Sequence, residues 1–130
     1  MFIVPLALSA AFSMAPTQSA YTGIEPVRVA SCALEPAAPA IDLPYSPAVA
    51  SGAASTVISF VNEAPATVAS VTFDVSDGRT TSQIVDKGTF SSGVAIDHRF
   101  ITPEFGNNLS GLSCSVKSVA FTDGSLWQAQ

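Results

Sequence analysis

"VTFDVSDG", residues 71–78, decides the fold of this chain. Val71, Phe73 and Val75 point to one side of an extended backbone, and Thr72, Asp74 and Ser76 to the other, which is the period of a half-buried strand. The run stops at Asp77-Gly78, a hairpin signal, because both residues tolerate the positive φ that tight hairpin turns require. "TTSQIV", residues 80–85, can return from that turn as the next strand.

The same period continues outward in both directions. "TVISFVN" (56–62) is almost wholly β-branched or aromatic, as expected of a strand covered on both faces or at a sandwich core. "VAIDHRF" (94–100) sets Val94, Ile96, His98 and Phe100 on one face, and "PVRVASC" (26–32) reads as a shorter first strand. No segment carries apolar residues at helical spacing, so the mature domain is predicted to be essentially free of helix. Residues 35–55 hold Pro36, Pro39, Pro44 and Pro47 among alanines and serines. Proline forbids a helix there and interrupts any central strand, so an extended connection is expected, with a short edge strand near residues 45–50. Strands at roughly ten-residue spacing with Gly, Pro and Asp turns indicate an all-β sandwich or barrel.

The last such element is "CSVKSVAFTDGSLW", residues 114–127. Leu112, Cys114 and Val116 share one parity, while Val119 and Phe121 share the other. A β-bulge at Lys117-Ser118 would return the later side chains to the same core. Asp123-Gly124 then predicts a closing hairpin. A two-residue loop would pair Phe121 with Leu126, and a three-residue loop through Ser125 would pair it with Trp127. In the first case Trp127 faces away from the core and, with Asp123, forms a candidate contact patch. In the second it closes the core.

The stretch "ISFVNEAPATVASVTFDVSDG", residues 58–78, resembles the paired strands of immunoglobulin-like modules in exported bacterial proteins, in which an F-x-N strand precedes a V-x-F strand. The tail 114–127 is similar to the ends of small exported bacterial proteins of unknown function. The likeness covers about residues 56–128. It implies an immunoglobulin-like β-sandwich of about seven antiparallel strands in an exported protein, and carries over no catalytic residue. Antibody-type domains place a tryptophan between the two cysteines, whereas Trp127 follows both.

With 130 residues, the chain has room for one domain. Ten acids against five bases give a net charge of −5, and the bases (Arg28, Arg79, Lys87, Arg99, Lys117) are scattered. No basic run exists to neutralise successive phosphates, so nucleic acid is not an expected partner. The first twenty residues, "MFIVPLALSAAFSMAPTQSA", carry no charge and contain an apolar run from Phe2 to Phe12. That pattern is a secretory signal, too short to span a bilayer, with cleavage after Ala20 or, on a Ser13-Met14-Ala15 match, after Ala15. The mature domain is then 21–130, soluble, and periplasmic or extracellular. Cys32 and Cys114 are the only cysteines, without CxxC spacing, and in an oxidising compartment they form one structural disulfide.

Sites of chemistry are few. His98 is the only histidine, and Asp97, its neighbour on a strand, points to the opposite face and cannot orient its ring. "GTFSSG" (88–93) lacks nucleophile-elbow spacing and reads as a turn. Asp74 and Asp77 flank a hairpin without the loop pattern of a specific calcium site. No phosphate loop, dinucleotide fingerprint or zinc spacing occurs, and no cofactor is expected. Asn108-Leu109-Ser110 fits the glycosylation sequon. The expected function is therefore non-catalytic: a binding or envelope-accessory module contacting a protein or glycan. A small secreted hydrolase would have to use His98 or paired acids. A secreted inhibitor or immunity-type protein would have to use rigid loops at 86–93 and 102–111.

Overall fold

The computed structural model describes residues 20, 21, 23–35, 41–43, 46–49, 54–106 and 111–130. Residues 1–19, and with them nearly all of the expected signal segment, lie outside the described residues. So do much of 35–55 and the Asn108-Leu109-Ser110 sequon.

Among the described residues nine strands follow one another: β1 (Val27–Glu35), β2 (Ile41–Leu43), β3 (Ser46–Val49), β4 (Ser55–Asn62), β5 (Val68–Ser76), β6 (Thr81–Phe90), β7 (Ala95–Ile101), β8 (Ser113–Phe121) and β9 (Leu126–Gln128). Seven of them form two antiparallel sheets, ordered β1-β4-β7 and β6-β5-β8-β9, while β2 and β3 make a separate two-stranded ribbon. Among the described residues the only helical element is a 3-10 turn at Pro103–Phe105. The ribbon falls inside the Pro/Ala-rich connection, and β3 lies where a short strand was expected.

The two sheets share one apolar core. The Phe60 ring of β4 lies 5.2 Å from Phe73 of β5 and meets Phe90 of β6 edge-on at 5.4 Å. Val71, Phe73 and Val75 are fully buried, as their alternation predicts. β4 alternates between buried and half-buried side chains at the centre of its sheet.

Bulges correct the parity where the alternation slips. On β8 the register against β5 jumps between Val116 and Ser118, leaving Lys117 as the extra residue. Val116, Val119 and Phe121 consequently all point into the core, as the change of parity predicts. A second bulge, at Ala30 of β1, lets Val27 and Val29 face inward before it and Cys32 and Leu34 after it. Cys32 and Cys114 are joined in a disulfide that ties β1 to β8 and hence one sheet to the other, with Cα atoms 6.1 Å apart.

Three local expectations shift. The first hairpin turns one residue later than Asp77-Gly78: Asp77 N–H donates to the Thr80 carbonyl at 3.2 Å, leaving Gly78 and Arg79 as the central pair. Only Gly78 has positive φ (93°), and the Asp77 carboxylate instead caps the turn by accepting from the amides of Arg79 and Thr80.

In the closing hairpin neither anticipated register occurs. Phe121 N–H donates to the Ser125 carbonyl at 2.9 Å, so the loop is Thr122-Asp123-Gly124, with Gly124 at φ 91°. The three-residue loop that ends in a left-handed glycine wins because glycine alone occupies that position without strain. Trp127 therefore opposes Val119.

Finally, residues 86–90 are not a protruding loop. They complete β6, anchored by buried Asp86 and Phe90. Gly88 is a strand glycine here: a Cβ on it would come within 2.8 Å of the Phe90 ring. Of the other proposed loop, the described residues 102–106 are anchored by buried Phe105 and by Thr102, whose hydroxyl lies 2.8 Å from that of Thr56, while 107–110 lie outside the described residues.

Candidate functional site

The uneven lengths of two neighbouring strands leave a concavity beside β8. β5 pairs with β8 along its whole length, from Ser113 to Phe121. β9 covers only Ser118, Val119 and Ala120 on the other side, extended by one hydrogen bond of 2.9 Å from Ala129 N–H to the Lys117 carbonyl. Beyond that bond the far side of β8, from Ser113 to Val116, has no strand partner among the described residues. A cleft of about 690 Å³ lies there, between β8 and the start of β1. Its walls are Cys114, Ser115, Val116 and Lys117 on one side, Glu25, Arg28 and Val29 on the other, with Asp74, Ala129 and Gln130 at the margins. The volume is within the range of small-molecule and peptide sites.

The charges of the cleft are unevenly committed. Arg28 is engaged outside it, its Nε donating to Glu63 at 2.9 Å. Glu25, Asp74 and Lys117 make no side-chain hydrogen bond or ion pair among the described residues. The disulfide closes the inner end of the cleft through Cys114, and Val29 and Val116 supply apolar wall.

The closing hairpin stands beside this region. Trp127 is half-buried and packs against the core, on the same side as its partner Val119. Asp123 is exposed, and its carboxylate accepts from the Ser125 hydroxyl at 2.6 Å and the Ser125 amide at 2.8 Å. These bonds, the hydroxyl first, hold the Asp123 carboxyl below the usual aspartate value. The outer edge of β9 is met by the N-terminal side of the domain. Tyr21 N–H donates to the Leu126 carbonyl at 2.9 Å, and the Tyr21 ring stacks on Phe121 at 4.8 Å.

A second polar feature lies at the opposite margin of the sandwich. His98 Nδ1 is 2.6 Å from Asp86 Oδ2, joining β7 to β6 across the gap between the sheets. Asp86 is nearly buried, whereas His98 is half-exposed between the rings of Phe90 and Phe100. As the strand geometry requires, Asp97 does not orient His98; it accepts a hydrogen bond from Ser59 instead. The alternation placed His98 on one face with Val94, Ile96 and Phe100 and gave no sign of Asp86. Residues twelve apart on different strands carry no local signal of meeting. The acid fixes the ring as a catalytic base is fixed, yet no hydroxyl hydrogen-bonds to the ring among the described residues. Those residues also contain no group of three or more His, Cys, Asp or Glu side chains able to hold a metal ion. Asp74 and Asp77, weighed in the sequence as a calcium contact, separate: Asp74 borders the cleft and Asp77 caps its own turn.

Asn62 has a structural role that the F-x-N pattern did not disclose. Fully buried, its amide group donates to the carbonyls of Ala66 and Phe90 and accepts from the amide of Ala64, each at 2.9 Å. It thereby holds the β4–β5 loop and the β6–β7 turn in one network.

No helix among the described residues is long and apolar enough to cross a membrane. No protein-family model, curated protein or solved structure matches the chain.

Proposed function

We propose that this chain is an exported, non-catalytic binding module on an immunoglobulin-like sandwich, contacting a protein or glycan partner through the β1–β8 cleft. The single observation that carries the reading is the cleft itself: a concavity lined by Cys114 of the disulfide and by Val29 and Val116, with Glu25, Asp74 and Lys117 on its border lacking partners among the described residues. The strand order supports the immunoglobulin-like assignment. The chain passes from β4 in one sheet to β5 and β6 in the other, returns for β7, and crosses again to β8 and β9, as in Greek-key sandwiches. The disulfide departs from the antibody pattern in starting on the first strand of its sheet, β1, rather than on β4. Export is supported by that disulfide together with the uncharged, apolar first twenty residues.

Two measurements test the reading. The intact mass of protein recovered outside the cytoplasm is expected to lack about twenty N-terminal residues. It should gain two thiol-alkylation adducts only after reduction. Crosslinking in the native host at native abundance should then capture a partner through residues of the cleft. A full-length protein with both thiols free removes the export reading, and repeated crosslinking that recovers no partner removes the binding reading.

A further inference from the structure

Within that reading, the unequal coverage of β8 points to one kind of partner. A strand that is bonded on one side and bare on the other offers a row of main-chain donors and acceptors that another extended chain can complete. On β8 the stretch without a partner strand among the described residues is short, from Ser113 to Val116, and it is walled by Arg28 and Val29 of β1 and by Glu25 just before that strand. The bulge at Lys117 marks its upper end, where Ala129 makes the last hydrogen bond of the β9 side.

We propose that this recess receives an extended, basic peptide segment of a partner protein, lying antiparallel to β8 and continuing the line of β9 beyond Gln130. The proposal rests on the binding-module reading and names the site and the chemistry of its occupant. Antiparallel addition follows the order of the named strands, β6-β5-β8-β9, each antiparallel to the next, although the isolated bridge of Ala20 to Leu126 on the other edge of β9 is parallel. Alternate side chains of the incoming strand would face Val29, Val116 and the disulfide, a surface suited to small aliphatic residues. The intervening side chains would face outward beside Ser115 and Asp74. Asp74 and Glu25 are the acids of the wall without a partner, while Arg28 is neutralised by Glu63. Of the two bases that line the cleft, Lys117 has no partner among the described residues, and it lies at the β9 end. The net charge of −5 favours the approach of a basic segment to the molecule as a whole.

The test uses the disulfide-intact protein, labelled with 15N, and blocked hexapeptides. One alternates valine and lysine, one alternates valine and glutamate, and one repeats the Val-Lys sequence with alternate amides N-methylated. The Val-Lys peptide is expected to shift resonances of Ser113–Lys117, Glu25–Val29 and Asp74, and to slow amide exchange within Ser113–Val116. N-methylation should weaken binding about tenfold or more, because each main-chain hydrogen bond lost costs about 1 kcal/mol. The Val-Glu peptide should bind several-fold more weakly than Val-Lys, and Asp74→Asn should narrow that difference without unfolding the exposed side of the sheet.

Equal binding of the N-methylated peptide would overturn strand addition, as would shifts mapping to β6 or β7, or no shifts at all. Slow exchange at Ser113–Val116 in the free protein would also overturn it: independent of concentration, it would mean that the chain itself fills the recess; dependent on concentration, that a second copy does. The binding-module reading fails differently. A host partner crosslinked through the cleft residues, together with Val-Lys binding that N-methylation does not weaken, would leave that reading standing and remove this proposal.

Discussion

His98 Nδ1 on β7 lies 2.6 Å from Asp86 Oδ2 on β6, and this contact joins the outermost strands of the two sheets through side chains alone. A nearly buried carboxylate needs a donor, and His98 is the donor the fold supplies. His98→Ala should cost about 1–3 kcal/mol in urea denaturation, the range for a lost hydrogen bond to a charged group. Replacing both residues with leucine should recover most of that loss, since apolar pairs commonly substitute for buried polar ones. A double variant as unstable as the single one would show that the pair supports something beyond itself.

Asn62→Ala should be more damaging. It strips partners from the Ala64 amide and from the Ala66 and Phe90 carbonyls at once. With each orphaned buried group costing about 1–3 kcal/mol, and some relaxation of the loops, a loss of about 2–4 kcal/mol is expected. Hydrogen exchange should quicken at both the β4–β5 loop and the β6–β7 turn. Faster exchange in only one of them would contradict the shared network.

Removing the disulfide as Cys32→Ala with Cys114→Ala should cost about 4.5 kcal/mol if unfolded-chain entropy dominates, given a sequence separation of 82. Equilibrium denaturation of the double variant checks the figure. A loss well under half of it would mean that the unfolded chain keeps β1 and β8 near one another without the bond.

Asp123 titrates below the ordinary aspartate value because Ser125 donates to its carboxylate from hydroxyl and amide. The sign follows from the depressed folded value. The stabilisation is present above the ordinary aspartate range and disappears as pH falls through the lowered value. NMR titration of the Asp123 carboxyl should show that low midpoint. Ser125→Ala should raise it part of the way back, because the amide bond survives while the hydroxyl bond is lost.

The alternation of "VTFDVSDG" and the parity change around Lys117 were legible because both are properties of a single strand. Side chains of period two, interrupted once, specify a bulge without reference to any neighbour. The pairing of Cys32 with Cys114 was legible because no other cysteine competes. The hairpin registers were each missed by a short step. Asp-Gly announces a turn, but whether Asp sits inside it or caps it depends on the amides it meets once folded. Asp86, Asn62 and the cleft were illegible for a common reason: each depends on distances between strands far apart in sequence. The recess on β8 depends on β9 being short, which no residue of β8 records.

The Cys32–Cys114 bond also changes what kind of object the chain is. Strands β2 to β7 all lie between the two half-cystines, so covalently the protein is a closed ring carrying two arms, one holding Val27–Ser31 of β1 and the other the rest of β8 with β9. A protease that cuts once within the ring releases nothing. The nicked molecule keeps both ends, gains only the mass of a water, and separates into fragments when a reductant opens the ring. A cut in either arm, by contrast, sheds a piece at once, so the order in which fragments appear with and without reductant reads out which side of the bond was cleaved.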